Sequence, residues 1–278
     1  MSGPILVTGG SGKVGRRIVE TLENASMHYR VAARRVTGPK AMHFDWTDRS
    51  TWRAALDGTA AVYLLSPTMS EDPSPLLIDF VRQAMSMGIR RFVLQSASLL
   101  PAGGPGMGKV HQWLTDNAPE WAVLRPSWFM QNFSEGPHAR AIRSEGKIYS
   151  AADDGPVPFI HAGDVARSAV AMLTADSAAN TDYILTGSDL VTYDEVARKI
   201  ANAAGRSVVH VRLTPEELAA AHERAGLNPT AAHALAAMDD AIAKFAEYRV
   251  TGCVKDLTRQ EPVRFQTFLD EAVSAWRL

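Results

Sequence analysis

The sequence predicts an α/β fold built on a doubly wound parallel sheet, and three observations lead to this class. Near its start, a short apolar run turns through closely spaced glycines into a helical pattern over residues 14–24. Apolar strand-like segments then alternate with helical segments as far as Pro126. With 278 residues and 46% hydrophobic side chains, the chain can form one large domain and a smaller lobe. Strict alternation predicts parallel strands joined by right-handed crossovers.

The elements of the first half follow from local patterns. The segment at 60–65 is apolar at every position, which is typical of a strand buried on both faces of a parallel sheet. The helix after Asp72 carries proline in its first turn, where proline is tolerated, and Gly88 ends it. The predicted strands are 4–8, 29–33, 41–44, 60–65, 91–96 and 121–126, and the predicted helices are 14–24, 50–56, 72–87 and 109–117.

The regular alternation ends at residue 126. We expect residues 1–126 to form a Rossmann-type domain and residues 127–278 to form a mostly helical cap that shapes a substrate cleft. Segments between about 157 and 186 are expected to return and extend the sheet. Short strands are predicted at 146–149 and 182–185, and helices at 163–173, 194–204, 216–225, 230–246 and 262–276.

The glycine-rich turn after the first strand predicts a dinucleotide site. Its spacing is Gly9-x-x-Gly12-x-x-Gly15, a variant of the usual fingerprint. Glycines let the backbone turn sharply and approach a pyrophosphate, and the helix that follows offers unpaired N–H groups to the phosphates. An ordinary glycine-rich turn is the alternative. The candidate contacts are Gly9, Gly10, Ser11, Gly12, Lys13 and Val14.

The second strand ends on Arg34 and Arg35, which bears on the choice of cofactor. An NAD site usually places an acidic side chain here for the ribose 2′-OH, whereas an NADP site places arginine here for the 2′-phosphate. No Asp or Glu lies between Arg30 and Lys40. The sequence therefore predicts NADP(H), with Arg34 as the first contact and Arg35 beside it. Two solvated arginines at a strand end are the alternative.

Further candidate contacts follow the other strands, because the carboxyl ends of parallel strands meet at one edge. Asp45 is expected to bond the adenine amino group and Trp46 to pack nearby, although either could be a turn or core residue. The remaining candidates are Leu65, Ser66 and Pro67 after the fourth strand, Ser96 and Ala97 after the fifth, and Pro126.

The chain lacks the usual proton donor of ketone-reducing short-chain dehydrogenases. These enzymes use a Tyr-x-x-x-Lys pair, in which lysine lowers the tyrosine pKa and tyrosine protonates the alkoxide. None of the six tyrosines is followed by lysine four residues later. The segment Gly103–Lys109 resembles a phosphate-binding P-loop, but Val110 stands where Ser or Thr must bind magnesium. Lys109 is the tentative catalytic residue, expected to point toward the nicotinamide ribose or the substrate, and a solvated lysine is the alternative.

Hydride transfer without a proton donor suits an iminium acceptor. Its carbon is already electrophilic and the product amine is neutral, so the site needs only to align the reactants and exclude water. Aromatic rings suit a cationic substrate. The substrate-binding candidates are Ser98, Trp128, Phe129 and Phe133, of which the aromatic ones could equally be core residues.

Composition excludes several other classes. The net charge of −1 gives no basic face for nucleic acid or for a membrane surface. No apolar run approaches the roughly 20 residues of a membrane span, and no signal-peptide pattern is visible. Cys253 is the single cysteine, so neither an intrachain disulfide nor a cysteine-rich metal site is possible, which fits the cytoplasm. No cluster has convincing metal-ligand spacing, so no metal is expected. The expected partner is a small-molecule substrate.

Motifs along nearly the whole chain resemble a known family. Thr8-Gly-Gly-Ser-Gly-Lys13 together with the segment Leu124–Phe133 resembles the NmrA-like, atypical short-chain dehydrogenases. More narrowly, the chain is similar to the ergot alkaloid biosynthesis reductases, the agroclavine and festuclavine dehydrogenase-like proteins and their bacterial relatives. The motifs that carry this are Gly108–Trp113, Glu145–Ser150, Asn180–Tyr183 and Leu190–Tyr193.

The resemblance implies NADPH-dependent reduction of an iminium, in agreement with the missing tyrosine. Relatives in the wider group reduce quinones or isoflavone-type enones, and NmrA-like proteins can bind NADP(H) without turning it over. The function predicted from the sequence is therefore an NADPH-dependent imine or iminium reductase acting on a small, cyclic or alkaloid-like substrate. A quinone or enone reductase and a non-catalytic NADP(H) sensor are the alternatives.

Overall fold

Nine strands form in the part of the chain that the computed structural model describes, residues 3–36, 38–67 and 72–277. In chain order they are β1 (Ile5–Thr8), β2 (Tyr29–Ala33), β3 (Ala41–His43), β4 (Ala61–Leu64), β5 (Arg91–Gln95), β6 (Glu120–Pro126), β7 (Lys147–Ser150), β8 (Thr181–Leu185) and β9 (Val209–Arg212).

The helices alternate with the strands in the first half of the chain and dominate the second half. They are α1 (Gly15–Asn24), α2 (Trp52–Leu56), α3 (Ser74–Ser86), α4 (Met107–Asn117), α5 (Pro137–Glu145), α6 (Ala162–Thr174), α7 (Tyr193–Ala204), α8 (Pro215–Arg224), α9 (Pro229–Ala243), α10 (Cys253–Thr258) and α11 (Phe265–Ala272). Short 3₁₀ helices occupy Arg49–Thr51, Met130–Asn132 and Val273–Ala275. Among the described helices, none is both long and apolar enough to cross a membrane.

The chain divides into two compact units. The first comprises the chain up to Pro126 together with Ala162–Leu185 and Cys253–Gln260, and the second comprises Ser127–His161, Thr186–Gly252 and the residues from Glu261 onward.

The first unit is built on a seven-stranded parallel sheet with the order β3-β2-β1-β4-β5-β6-β8. The doubly wound parallel sheet predicted from the sequence is confirmed. The outermost strand, β8, comes from residues after the predicted domain boundary and pairs with β6 in parallel register, Val123 opposite Asp182.

Helices cover both faces of this sheet. Successive residues of a strand point to opposite faces of the sheet. Leu6 and Val62 point to the same face, where they form one core cluster with residues of α2, α3 and α4. On the other face, α6 packs against α1 and against β4, β5 and β6. Every residue of β4 is buried, as the unbroken apolar segment predicts.

The second unit has a small parallel sheet, β7 with β9, and an aromatic core. The ring of Phe133 lies against those of Phe159, Tyr193 and Phe265, with centroid distances of 5.1 to 6.4 Å. The indole N–H of Trp276 donates to the Phe133 carbonyl at 2.7 Å. Phe133, a substrate-binding candidate in the sequence, has no exposed surface and is part of this core.

Several elements differ from the expected ones. Helix α5 and strand β9 were not predicted, because each is short and rich in polar residues: α5 buries only Ala139 and Ile142, and β9 buries none of its four residues completely. The helix expected over 262–276 is α-helical only from Phe265 to Ala272. The strand predicted at 29–33 is confirmed at those bounds.

Candidate functional site

The centre of the larger sheet contains a topological switch point. From β1 the chain proceeds to β2 and β3 on one side, whereas from β4 it proceeds to β5 and β6 on the other. Thr8 joins the two central strands: its hydroxyl donates to the Tyr63 carbonyl at 2.9 Å and accepts the Leu65 N–H at 2.8 Å. In open α/β sheets, ligands bind in the crevice outside the carboxyl ends of the strands at this point.

The glycine loop after β1 is packed too closely to accept side chains. Gly9 has φ +65°, and a Cβ on it would lie 2.5 Å from Leu65 Cδ2. A Cβ on Gly10 would lie 2.4 Å from Val31 Cγ1, and a Cβ on Gly15 would lie 2.1 Å from the Gly9 carbonyl oxygen. The loop therefore follows the sheet at backbone distance, and helix α1 begins directly on it.

The start of α1 is open to an anion. The Gly12 N–H donates to the Gly9 carbonyl at 2.9 Å, which closes the turn, and the guanidinium of Arg17 donates to the Lys13 carbonyl at 2.7 Å. Among the described residues, no side chain caps the helix at Val14, and its first turn contains no acidic residue. Such a helix terminus together with a glycine cradle fits a pyrophosphate, as the dinucleotide prediction requires.

Arg34 and Arg35 follow β2 and are both exposed. Nearby, Asp45 follows β3, and hydrogen bonds from the Thr47 backbone N–H at 2.8 Å and the Thr47 hydroxyl at 2.7 Å lower its pKa. The positive charges of Arg34 and His43 lower it further. Both Thr47 bonds go to one carboxylate oxygen, Oδ1, which leaves Oδ2 outside this turn.

Trp46 is part of an aromatic cluster in the first unit. Its ring meets those of Phe44, Trp52 and Phe80 edge to face, with centroids 4.8, 6.4 and 5.0 Å away. The indole is only partly buried, so one part of it faces outward beside the carboxyl end of β3. It therefore combines a core position with a location beside the proposed adenine site.

The segment after β4 supports the glycine loop. Leu65 fills the space that a side chain on Gly9 would need, and the Ser66 hydroxyl donates to the Pro67 carbonyl at 3.2 Å. Residues 68–71 lie outside the described part of the chain.

The first residue after β5, Ser96, has a buried hydroxyl. Ser96 continues the sheet, because its N–H donates to the Leu124 carbonyl at 2.8 Å, and only 8% of the residue is exposed. Its hydroxyl oxygen is buried and has no hydrogen-bond partner among the described residues. A buried polar group without a partner is costly and uncommon, so a ligand at this sheet edge would supply the missing bond.

Lys109 lies in the first turn of α4 and is already engaged within the protein. Its Nζ is 2.6 Å from Asp72 Oδ2, just before α3. This hydrogen bond from Lys109, followed by those from Ser74, holds the pKa of Asp72 at about 2. Contact between the Lys109 ammonium and a ligand would require this half-exposed ion pair to rearrange.

His111 lies two residues further along α4 and is 3% exposed. Its ring is 5.8 Å from that of Trp121, and its Nδ1 is buried without a hydrogen-bond partner among the described residues. Burial lowers its pKa, and the charge of Arg125 adds to this, whereas Asp182 acts in the opposite direction. The imidazole is therefore neutral at pH 7.

The two remaining aromatic candidates, Trp128 and Phe129, come directly after β6. They belong to the second unit and are half-buried. Trp128 and Phe129 flank a bridge to residues 157–161: the Ile160 N–H donates to the Trp128 carbonyl at 2.9 Å. The Trp128 indole nitrogen is buried without a partner among the described residues. Beside it, the Ser127 hydroxyl donates to the fully buried Glu247 carboxylate at 3.3 Å, a pair that the sequence analysis missed because 120 residues separate its members.

The predicted site residues thus fall into two groups. Those proposed for the cofactor, and Ser98, belong to the first unit, where the parallel sheet collects their strand ends at one edge. Trp128, Phe129 and Phe133 belong to the second unit. Within the described residues, no group of three or more His, Cys, Asp or Glu side chains could hold a metal ion.

Replacing Gly15 by alanine should destabilise the first unit, because the new Cβ would overlap the Gly9 carbonyl. We expect a loss of about 1–3 kcal/mol in the free energy of unfolding and at least about tenfold weaker binding of NAD(P)H. Urea denaturation and fluorescence titration measure the two effects. In the control Gly12→Ala, the Cβ would lie 3.2 Å from the same oxygen, a tight contact that a shift of a few tenths of an ångström relieves, so the loss of stability should be smaller than in Gly15→Ala. Equal stabilities for the two variants would contradict this packing.

The buried neutral His111 predicts a dependence of stability on pH. Its pKa in the folded protein lies below the ordinary 6.5, so its contribution is complete above pH 6.5 and is lost as the pH falls below that value. The difference in unfolding free energy between wild type and His111→Phe should therefore change between pH 7.5 and pH 5.5, with wild type losing more. Replacement of the exposed His233 by phenylalanine is the control. A difference that stays constant with pH would be inconsistent with a buried neutral imidazole.

Comparison with known proteins agrees with this geometry. Residues 5–75, which include the glycine loop, match the NAD dependent epimerase/dehydratase family. An uncharacterized oxidoreductase of Bacillus subtilis, YesF, is 39% identical over 98% of this chain and 96% of its own length. Agroclavine dehydrogenase of Claviceps fusiformis is 41% identical over 98% of each chain.

A solved structure supports the fold. The NADPH complex of the quinone oxidoreductase QOR2 from Escherichia coli superposes with a TM-score of 0.80, covering 96% of this chain and 99% of the other, at 20% identity. Both relatives of high identity match along 98% of this chain. The chain belongs to the family of oxidoreductases that contains the agroclavine and festuclavine dehydrogenases.

Proposed function

We propose that this oxidoreductase uses NADPH to reduce the C=N bond of an imine or iminium in a small, cyclic or alkaloid-like substrate. The observation that carries the proposal is a dinucleotide cradle at the switch point of a chain that lacks the tyrosine–lysine pair of ketone reductases. The similarity to agroclavine dehydrogenase supports an alkaloid-like substrate.

The first unit supplies the residues that would hold NADPH, which brings the hydride to the reaction. The backbone of Gly9–Val14 and the start of α1 would bind the pyrophosphate. Arg34 would bind the 2′-phosphate, with Arg35 beside it, while Asp45 and Trp46 would contact the adenine. Leu65–Pro67, Ser96, Ala97 and Pro126 would border the nicotinamide half. These assignments follow the order in which the sheet presents its strand ends.

The tyrosines support reduction without a phenolic acid. The pKa values of Tyr29, Tyr63, Tyr149, Tyr183 and Tyr193 are all raised. Tyr63 is the one on a central strand, but its ring is fully buried, burial raises its pKa, and its O–H donates to Gln95 at 2.5 Å. A general acid works best when its pKa lies near the working pH, so none of these five phenols is tuned for proton donation.

An iminium acceptor removes the need for such an acid. Its carbon accepts hydride directly and the product is a neutral amine, so the protein has to align the two reacting carbons and keep water away. In the first unit, Ser98 is the candidate for a polar contact with the substrate. In the second unit, Trp128 and Phe129 are the candidates whose ring faces suit a cation.

Quinone or enone reduction is a second candidate, and Ser96 is the observation that favours it. Reduction of a conjugated carbonyl places negative charge on oxygen. The Ser96 hydroxyl, buried and without a hydrogen-bond partner among the described residues, could donate to that oxygen.

Oxidation of NADPH, followed by its absorbance with a panel of cyclic imines, quinones and enones, tests the proposal. We expect turnover of cyclic imines with a rate constant on the order of 1–10 per second, typical of enzymes. Turnover of quinones or enones alone would favour the second candidate. NADPH binding without turnover of any acceptor would instead favour a redox sensor.

Arg34→Ala should weaken NADPH binding far more than NADH binding. A guanidinium–phosphate interaction is worth about 1.5–3 kcal/mol, so the dissociation constant for NADPH should rise about 10- to 150-fold. Fluorescence titration with both cofactors measures this change, and Arg35→Ala is the matched control, with a smaller effect. Equal losses for NADPH and NADH in Arg34→Ala would remove the 2′-phosphate assignment.

A further inference from the structure

Arg125 connects three neighbouring strands of the larger sheet. It lies near the end of β6, and its side chain is 13% exposed. Its Nη1 is 2.7 Å from Asp182 Oδ2 on the edge strand β8. On the other side, Nη2 donates to the Ser98 carbonyl at 2.8 Å and Nε to the Ala97 carbonyl at 3.5 Å, both just after β5.

These contacts use the particular shape of arginine. The planar guanidinium directs its N–H groups along several fixed directions, so one group can bind a carboxylate and two carbonyls at once. Lysine has a single ammonium on a flexible stem and cannot reproduce this fork. The bonds are partly shielded from water, so they constrain the backbone of residues 97 and 98 more strongly than surface contacts would.

The residues that Arg125 holds directly follow Ser96, whose hydroxyl has no hydrogen-bond partner in the described part of the chain. The Ser98 N–H donates to the Pro126 carbonyl at 3.0 Å, so the chain after β5 stays aligned with β6 up to residue 98. Arg125 fixes the two carbonyls that follow Ser96. Rotation of either peptide would break a bond to the guanidinium, so the backbone directly after Ser96 is held in one conformation.

A second arginine makes equivalent contacts at the opposite end of the strands, where β5 and β6 begin. Arg91, at the start of β5, is 2.9 Å from Glu120 Oε2 and donates to the carbonyls of Leu173 and Ala175. Its side chain is 10% exposed. The two arginines therefore match in burial and in the kinds of acceptor they bind, but only Arg125 lies at the carboxyl edge, where ligands bind in such sheets.

We propose that Arg125 is a positioning residue for hydride transfer, which holds the Ser96–Ser98 segment in the orientation that receives the nicotinamide half of the cofactor. The proposal rests on the proposed function in one respect, that NADPH binds at the carboxyl edge of the sheet. Asp182 orients the guanidinium, and the neutral His111 behind this ion pair adds no competing positive charge.

The test compares Arg125→Met with Arg91→Met, since each variant removes one buried three-acceptor arginine. Both should lower the melting temperature by a similar amount. Only Arg125→Met should increase amide hydrogen exchange at residues 98–100, by at least about tenfold, because local opening of that segment becomes easier. Only Arg125→Met should also weaken NADPH binding, by about tenfold, with a fall in kcat of about tenfold or more and an unchanged KM for the acceptor.

Two milder variants keep the test valid if Arg125→Met does not fold. Arg125→Lys keeps the charge beside Asp182 but loses the fork, and Asp182→Asn keeps the shape but loses the anion. Each should fold and show smaller changes in hydrogen exchange and NADPH binding than Arg125→Met. Of the two, Arg125→Lys should show the larger changes.

The outcomes separate this proposal from the proposed function. Hydrogen exchange and NADPH affinity do not depend on any acceptor, so they report on Arg125 even if the wild type reduces no imine. If the Arg125 variants match Arg91→Met in exchange at residues 98–100 and in NADPH affinity, Arg125 has only a structural role and the proposal is wrong.

Discussion

The close approach of the glycine loop to the central strands is the constraint on which the rest of the candidate site depends. Gly15 lies so near the Gly9 carbonyl that no side chain fits between them, and this contact starts α1 directly over the end of β1. Thr8 fixes the end of β1 beside the end of β4, because its hydroxyl both donates a hydrogen bond to β4 and accepts one from the residue that follows β4. The phosphate-binding helix end and the strand exits are thereby placed by backbone geometry, with little dependence on flexible side chains.

The proposed reaction requires few side chains of the site to gain or lose a proton. Burial raises the pKa of Tyr63 and lowers that of His111, so both groups stay neutral across the physiological range. Lys109 and Asp72 compensate each other near the start of α4. Such a site favours a reaction in which the electrophile brings its own charge, because the protein then needs to orient the reactants and to exclude water.

Much of the fold could be predicted because its signals are local. The apolar segment at 60–65 and the strand at 29–33 follow from composition and bounding residues, and the glycine spacing indicated the sharp turn between the first strand and the first helix. The positions of individual side chains depend on distant partners. The Lys109–Asp72 pair and the Arg125–Asp182 pair join residues 37 and 57 positions apart, and periodicity carries no information about them. The core position of Phe133 could not be predicted for a similar reason, because an aromatic segment has the same sequence pattern whether it lines a cleft or fills a core.

The place of β8 in the sheet has a consequence for biosynthesis. The first unit takes its outer strand from residues 181–185 and a helix from residues 253–258, so its fold is completed only after residue 258 has left the ribosome. Until residues 181–185 emerge and pair with it, β6, which is apolar along most of its length, has an unpaired edge that can pair with other chains. Parallel pairing between such distant segments is intrinsically slow to form. Folding yield in the cell should thus depend on how long nascent chains wait with this edge uncovered, which makes chaperone capacity and translation speed relevant to the yield of this enzyme.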